Sequence, residues 1–144
     1  MKLLPDTLTI IETFIQTRVK DAGAQGVVLG LSGGIDSATT LALAVSSLGS
    51  DKVKGLIMPF KESESISLAL DHANTLNVKT KEYSIASIVN SYKEVTPSYS
   101  STASEGNLHS RVRMSLLYGE AFSSNTLVMG TSNKSELLVG YYTK

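Results

Sequence analysis

Apolar and polar positions along the 144 residues switch repeatedly between helical and strand spacing. After Pro5-Asp6-Thr7, the residues Leu8, Ile11, Ile15 and Val19 recur at steps of three to four, which predicts an amphipathic helix ending near Gly23. Residues 26–31 form a short apolar run of strand length, and residues 38–48 return to helical composition and stop at Gly49, a natural residue for the position after a helix. The cycle repeats. Residues 53–58 read as a nearly continuous apolar strand, and residues 62–76 as a helix through Ile66, Leu70, Ala73 and Leu76. Residues 78–85 predict a third strand, 86–95 a short helix, 111–122 a longer one, and 126–130 a fourth strand that runs into Thr131-Ser132-Asn133. Strands alternating with helices predict an α/β fold, a parallel twisted sheet with helices on both faces, in a single domain over residues 1–144. Residues 96–106 interrupt the pattern. They hold little that could enter a core and read as a mobile loop, either a plain linker or a cover over a site.

Composition narrows the partners. With 42% hydrophobic residues the chain can bury a core, and 13 Lys+Arg balance 13 Asp+Glu, so a general nucleic-acid surface is not expected. The absence of cysteine removes disulfides, thiolate metal sites and thiol nucleophiles, and fits a reducing compartment. No apolar run approaches the roughly 18 residues of a membrane span, and residues 1–6 lack a signal-peptide core, so a cytoplasmic protein without a membrane partner is expected. No internal repeat is visible.

The chemistry concentrates at Gly30-Leu31-Ser32-Gly33-Gly34-Ile35-Asp36-Ser37, between the first predicted strand and its helix. Glycines let backbone N–H groups approach an anion closely, and the helix that follows points its positive end at the same place. The octet has neither the Gly-Lys-Ser/Thr of a Walker loop nor the spacing of a dinucleotide fingerprint. In an open parallel sheet, ligands bind where strand-to-helix loops converge, and this chain places Ser32, Asp36, Ser37, Pro59-Phe60-Lys61, Thr131, Ser132, Asn133 and Glu136 at such loops. Asp36 and Glu136 should therefore lie on one sheet edge. Such a pair suits Mg²⁺, which takes one or two carboxylates plus phosphate oxygens and water. From spacing alone, Asp36 is equally a first-turn acid and Glu136 a solvated surface residue.

The octet resembles the Ser-Gly-Gly-x-Asp-Ser pyrophosphate loop of the N-type ATP pyrophosphatases. Two further blocks are similar to the NAD synthetases within that superfamily: Gly106-Asn107-Leu108-His109-Ser110-Arg111-Val112-Arg113-Met114, followed by Tyr118, and Gly130-Thr131-Ser132-Asn133-Lys134-Ser135-Glu136 continuing to Lys144. GMP synthetase and the thiouridine-forming enzymes share only the first block. The resemblance implies a Rossmann-like, adenine-nucleotide α-hydrolase-like fold and amidation of deamido-NAD by ammonia with ATP, giving NAD, AMP and pyrophosphate through an adenylate. It implies ATP contacts from Gly30, Leu31, Ser32, Gly33, Gly34, Ile35, Asp36, Ser37 and Thr131, Mg²⁺ ligation by Asp36 and Glu136, and deamido-NAD contacts from Arg111 and Lys144. No side chain is implied as a nucleophile or base. Without the resemblance, Arg111 and Arg113 read as solvated helix-face residues, and His72 and His109 match no catalytic role. The family is typically a homodimer, with the apolar faces of residues 7–19 and 111–122 as candidates for the interface. Its pattern continues past Lys144, so the chain is expected to lack a C-terminal segment, and ammonia rather than a preceding glutaminase part is the expected nitrogen source. Alternative readings are a related ATP pyrophosphatase acting on a purine or tRNA base, and a nucleotide-binding module without turnover.

Overall fold

Four parallel strands stand in the order β3-β2-β1-β4, so the strand that carries the glycine-rich octet is an inner one. The computed structural model describes residues 5–99 and 101–143. In chain order the elements are α1 (Thr7–Asp21), β1 (Val27–Gly30), α2 (Ile35–Leu48), β2 (Val53–Ile57), α3 (Glu64–Thr75), β3 (Lys79–Glu82), α4 (Ala86–Val95), α5 (Thr102–Ser123), β4 (Leu127–Val128) and α6 (Lys134–Val139), with 3₁₀ turns at Ser50–Lys52 and Pro97–Tyr99. Register runs from Val27 opposite Val53 and Leu127 to Gly30 opposite Leu56, which brings the ends of β1 and β2 out side by side.

Strand alternation divides the core in two. Val27, Leu29, Leu31, Val53 and Ile57 point toward Val19, Leu41, Ala44, Ala69 and Ala73 of α1, α2 and α3. Val28, Leu56 and Met58 point the other way, onto Val89 of α4 and Leu108, Val112 and Ala121 of α5. Both faces of the sheet are thus covered, as the alternation of strands and helices predicts.

Two expectations need correction. Within residues 96–106, expected as a loop, Pro97–Tyr99 form a 3₁₀ turn and residues 102–106 are helical. Ser101 and Ser104 form a capping box, with the Ser104 N–H donating to Ser101 Oγ at 3.2 Å and the Ser101 N–H donating to Ser104 Oγ at 3.2 Å. The hydroxyl-rich stretch that resembles a linker is a helix start: α5 begins at Thr102, and Glu105 in its first turn meets Lys93 of α4 at 3.1 Å. The third strand is also shorter than residues 78–85, covering Lys79–Glu82 at the sheet edge, where alternating lysines discourage further pairing. Val78 and Ile85 remain buried at its two ends.

On the α5 face, β2 and β3 each place a lysine under the C-terminal part of α5. Glu120 is buried there, and Lys81 Nζ donates to both of its carboxylate oxygens at 2.9 Å. Lys54 lies 3.8 Å away, and Tyr83 OH donates at 3.4 Å. The bond from Lys81 holds the Glu120 carboxyl below its ordinary range against the opposing effect of burial, and Glu120 in turn raises Lys81. A carboxyl lowered on folding contributes stability above its unfolded value and loses it as pH falls through the folded value. Glu120→Gln is therefore expected to lower Tm by a few degrees near neutral pH. The gap from the parent should close as both are melted at pH values below the ordinary carboxylate range, and a gap that stays constant into acid would refute this role.

Candidate functional site

The β1 exit turns sharply into α2 because Gly33 takes a left-handed backbone, φ +78°. A Cβ at Gly33 would also run into the Ser65 carbonyl oxygen at the start of α3, so both conformation and space demand glycine there. Inside the turn, the buried Ser37 hydroxyl donates to the Gly34 carbonyl at 2.9 Å and accepts the Ser32 N–H at 3.2 Å. Ser32 Oγ lies 3.1 Å from Ser37 Oγ and accepts the Gly34 N–H at 3.2 Å. These bonds lock the loop shape. They also engage the Ser37 hydroxyl within the loop, so Ser37 shapes the turn from beneath.

The mouth of the loop is left open. The residue preceding α2 is Gly34, which supplies no capping side chain, so the first-turn N–H groups of α2 have no side-chain cap. A helix of 14 residues begins at that point, and its dipole adds positive potential to the same N–H groups. This combination of uncapped N–H groups and helix dipole suits an anion. Asp36, exposed in the first turn of α2, stands beside it.

Across the edge, the segment after β4 turns into α6 through a second capping box. The Glu136 N–H donates to Asn133 Oδ1 at 2.9 Å, and the Asn133 N–H donates to Glu136 Oε2 at 3.0 Å. The same Asn133 side chain donates through Nδ2 to Asp36 Oδ1 at 3.2 Å. Asp36 and Glu136, a hundred positions apart in the sequence, thus both bond to Asn133, Asp36 through its side chain and Glu136 through its main-chain N–H. The bridge was not singled out from the sequence. Its signal was an Asn-x-x-Glu spacing at the start of α6, an ordinary capping pattern until Asp36 is placed next to it.

Hard carboxylate oxygens at Asp36 and Glu136, held beside an anion cradle, fit Mg²⁺ in the manner that leaves its other positions to phosphate oxygens and water. Among the described residues no group of three or more His, Cys, Asp or Glu side chains forms a cage of its own. Thr131 is half-buried in the segment between β4 and α6. Arg111 is exposed on α5 and shares no ion pair or side-chain hydrogen bond with Asp36, Asn133 or Glu136 among the described residues. Lys144 lies outside the described residues.

Two α5 residues have definite partners, and the reading of Arg113 as a solvated helix-face residue is corrected. Arg113 is half-buried, and its Nε donates to the Met58 carbonyl at 2.9 Å. His109 stacks on Phe60 with ring centroids 4.4 Å apart, and its buried Nε2 has no hydrogen-bond partner, with Glu105 Oε1 3.7 Å away. Burial first, and then the positive charge of Arg113, hold the imidazole below its ordinary range, with Glu105 opposing them. His72 lines the small hollow beneath the loop with Leu31, Ser37 and Ala69.

Gly33→Ala should destabilise the fold by at least about 1 kcal/mol, from the left-handed φ and the clash with Ser65. It should also abolish anion binding at the cradle. Thermal melting together with calorimetric titration of Mg·ATP checks both effects, and an unchanged titration would refute the cradle.

Comparison with known proteins agrees with this fold. The NH(3)-dependent NAD(+) synthetase of Thermococcus sibiricus is 44% identical over 137 residues, which cover 95% of this chain and 54% of that protein. The NH3-dependent NAD synthetase of Campylobacter jejuni, solved in complex with the nitrate ion, superposes with a TM-score of 0.90 at 43% identity and is matched over 94% of this chain and 59% of its own. The glutamine-dependent NAD+ synthetase of Acinetobacter baumannii, solved in complex with adenosine diphosphate, superposes with a TM-score of 0.86 at 38% identity, over 100% of this chain and 30% of its own. The chain spans about half the length of the curated relatives it matches. With residues 7–144 also matching the NAD synthase family from the first helix through the last signature, the chain belongs to that family.

Proposed function

We propose that the chain supplies the phosphate loop and the cation-binding carboxylates of an ammonia-dependent ligase that converts deamido-NAD to NAD with ATP. The observation that carries this is the Asp36–Asn133–Glu136 bridge beside the uncapped start of α2. The backbone from Gly30 to Ser37 would hold the ATP phosphates, and Thr131 would contact ATP from the β4 side. Asp36 and Glu136 would hold Mg²⁺, which when bound neutralises phosphate charge. Asn133 keeps the two carboxylates at one place on the edge before any ligand arrives, Asp36 through its side-chain Nδ2 and Glu136 through its main-chain N–H, which lowers the cost of ordering them.

In the first step a carboxylate oxygen of deamido-NAD bonds to the α-phosphorus of ATP and the bond to pyrophosphate breaks. In the second, ammonia attacks the activated carbonyl, AMP leaves with the former carboxylate oxygen, and the nitrogen loses a proton to solvent. The chain's contribution is placement and charge compensation rather than a covalent side-chain intermediate. Arg111 and Lys144 would meet the anionic groups of deamido-NAD. That relatives in Thermococcus sibiricus and Campylobacter jejuni are NH3-dependent NAD synthetases supports ammonia as the nitrogen donor. No described helix is long and apolar enough to cross a membrane, in keeping with a cytoplasmic setting.

Asp36→Asn should weaken Mg·ATP binding to this chain at least about ten-fold without lowering Tm, since the side chain is exposed and, among the described residues, its carboxylate bonds only Asn133. In a protein of the relatives' full length carrying these residues, ammonium, deamido-NAD and Mg·ATP should yield NAD and AMP in equal amounts, and the same substitution should remove most of that turnover. Near-parental rates would refute the cation assignment.

A homodimer is also proposed. Met114, Tyr118 and Phe122 stand exposed at successive turns of α5, an apolar stripe that solvent does not favour. Sedimentation should give a dimer for the parent and a monomer for Phe122→Glu, whereas a monomeric parent would overturn the assignment.

A further inference from the structure

Three contacts lie at four-residue steps along α5: His109 on Phe60, Arg113 on the Met58 carbonyl, and Leu117 against Gly30. All three grip the ends of β1 and β2 where the phosphate loop begins. The Arg113 bond is unusual in its setting. The guanidinium is half-buried, it forms no ion pair with a carboxylate among the described residues, and its Nε reaches a main-chain carbonyl 55 positions away. Burying part of a cation for one carbonyl is costly unless the contact fixes something else.

The Met58 side chain indicates what is fixed. A Cβ at Gly30 would lie 3.3 Å from Met58 Cε and 3.7 Å from Leu117 Cδ1, so the first residue of the octet is packed between the residue Arg113 holds and the residue one turn further along α5. The next residue is tied to the same strand, since the Leu31 N–H donates to the Leu56 carbonyl at 2.8 Å. Arg113 thus holds the main chain of Met58, whose side chain fills the space beside Gly30 at the start of a loop tied together by its own internal bonds.

We propose that Arg113 is a positioning residue of the phosphate loop, acting through Met58 and seconded by Leu117. It touches no reacting atom in this account. The proposal rests on the reading of the octet as the phosphate site, and the test separates the two.

Amide hydrogen exchange over residues 30–37 and 57–61, Mg·ATP affinity by calorimetry and Tm are measured on the parent chain, Arg113→Met and Arg113→Lys. Arg113→Met is expected to speed exchange in both segments and to weaken Mg·ATP about ten-fold. Arg113→Lys, which keeps a cationic donor, should recover most of both effects. Arg113→Met with parental affinity, or with parental protection in residues 30–37, overturns the proposal, as does a lysine variant no better than methionine. Should Arg113→Met not fold, Leu117→Ala decides: it loosens residues 30–37 and weakens Mg·ATP if α5 positions the loop, and unchanged values refute that. A parent that does not bind Mg·ATP sinks the phosphate-site reading instead, and exchange over residues 30–37 then decides the clamp alone.

Discussion

A parallel sheet must be covered on both faces, and in this chain α5 carries much of one face. That single requirement sets the length of the helix and the residues along it. Leu108, Val112 and Ala121 fill the gap over Val28, Leu56 and Met58, and once they are seated the polar residues between them have little freedom. Glu120 is carried down onto the lysines of β2 and β3, and Arg113 onto the end of β2. The helix that closes the core is also the one that contacts the loop's foundations.

Burial decides which charged residues are structural. Glu120 is enclosed but doubly bonded to Lys81, so its charge is compensated where water is scarce. Asp36 stays exposed at the sheet edge, held lightly by an amide, and remains available to a cation. The same residue class thus serves two ends of the fold in opposite ways. Ser37 shows a parallel division: buried beneath the turn, its hydroxyl shapes the loop, while the backbone above it faces outward.

Legibility followed the range of the interactions. The α1, α2, β1 and β2 segments were readable because their apolar spacing is local and strong, and the octet because glycine at a strand-to-helix junction has a local steric cause. Residues 102–106 resemble a loop in sequence because serine hydroxyls serve turns and helix caps equally well. Only the reciprocal Ser101–Ser104 bonds and the packing of Leu108 selected the helix. The third strand was overextended because apolar Val78 and Ile85 enter the core from outside its ladder.

By itself the sequence determined the order of strands and helices, the glycine-rich turn after β1 and the presence of carboxylates at two distant strand ends, since each depends on neighbours within a few residues. Tertiary structure alone decided that Asn133 links Asp36 to Glu136, that Glu120 is enclosed with Lys81, and that Arg113 reaches Met58. Those contacts join residues between 39 and 97 positions apart. Their distance is set by strand order and helix packing, which no local pattern encodes.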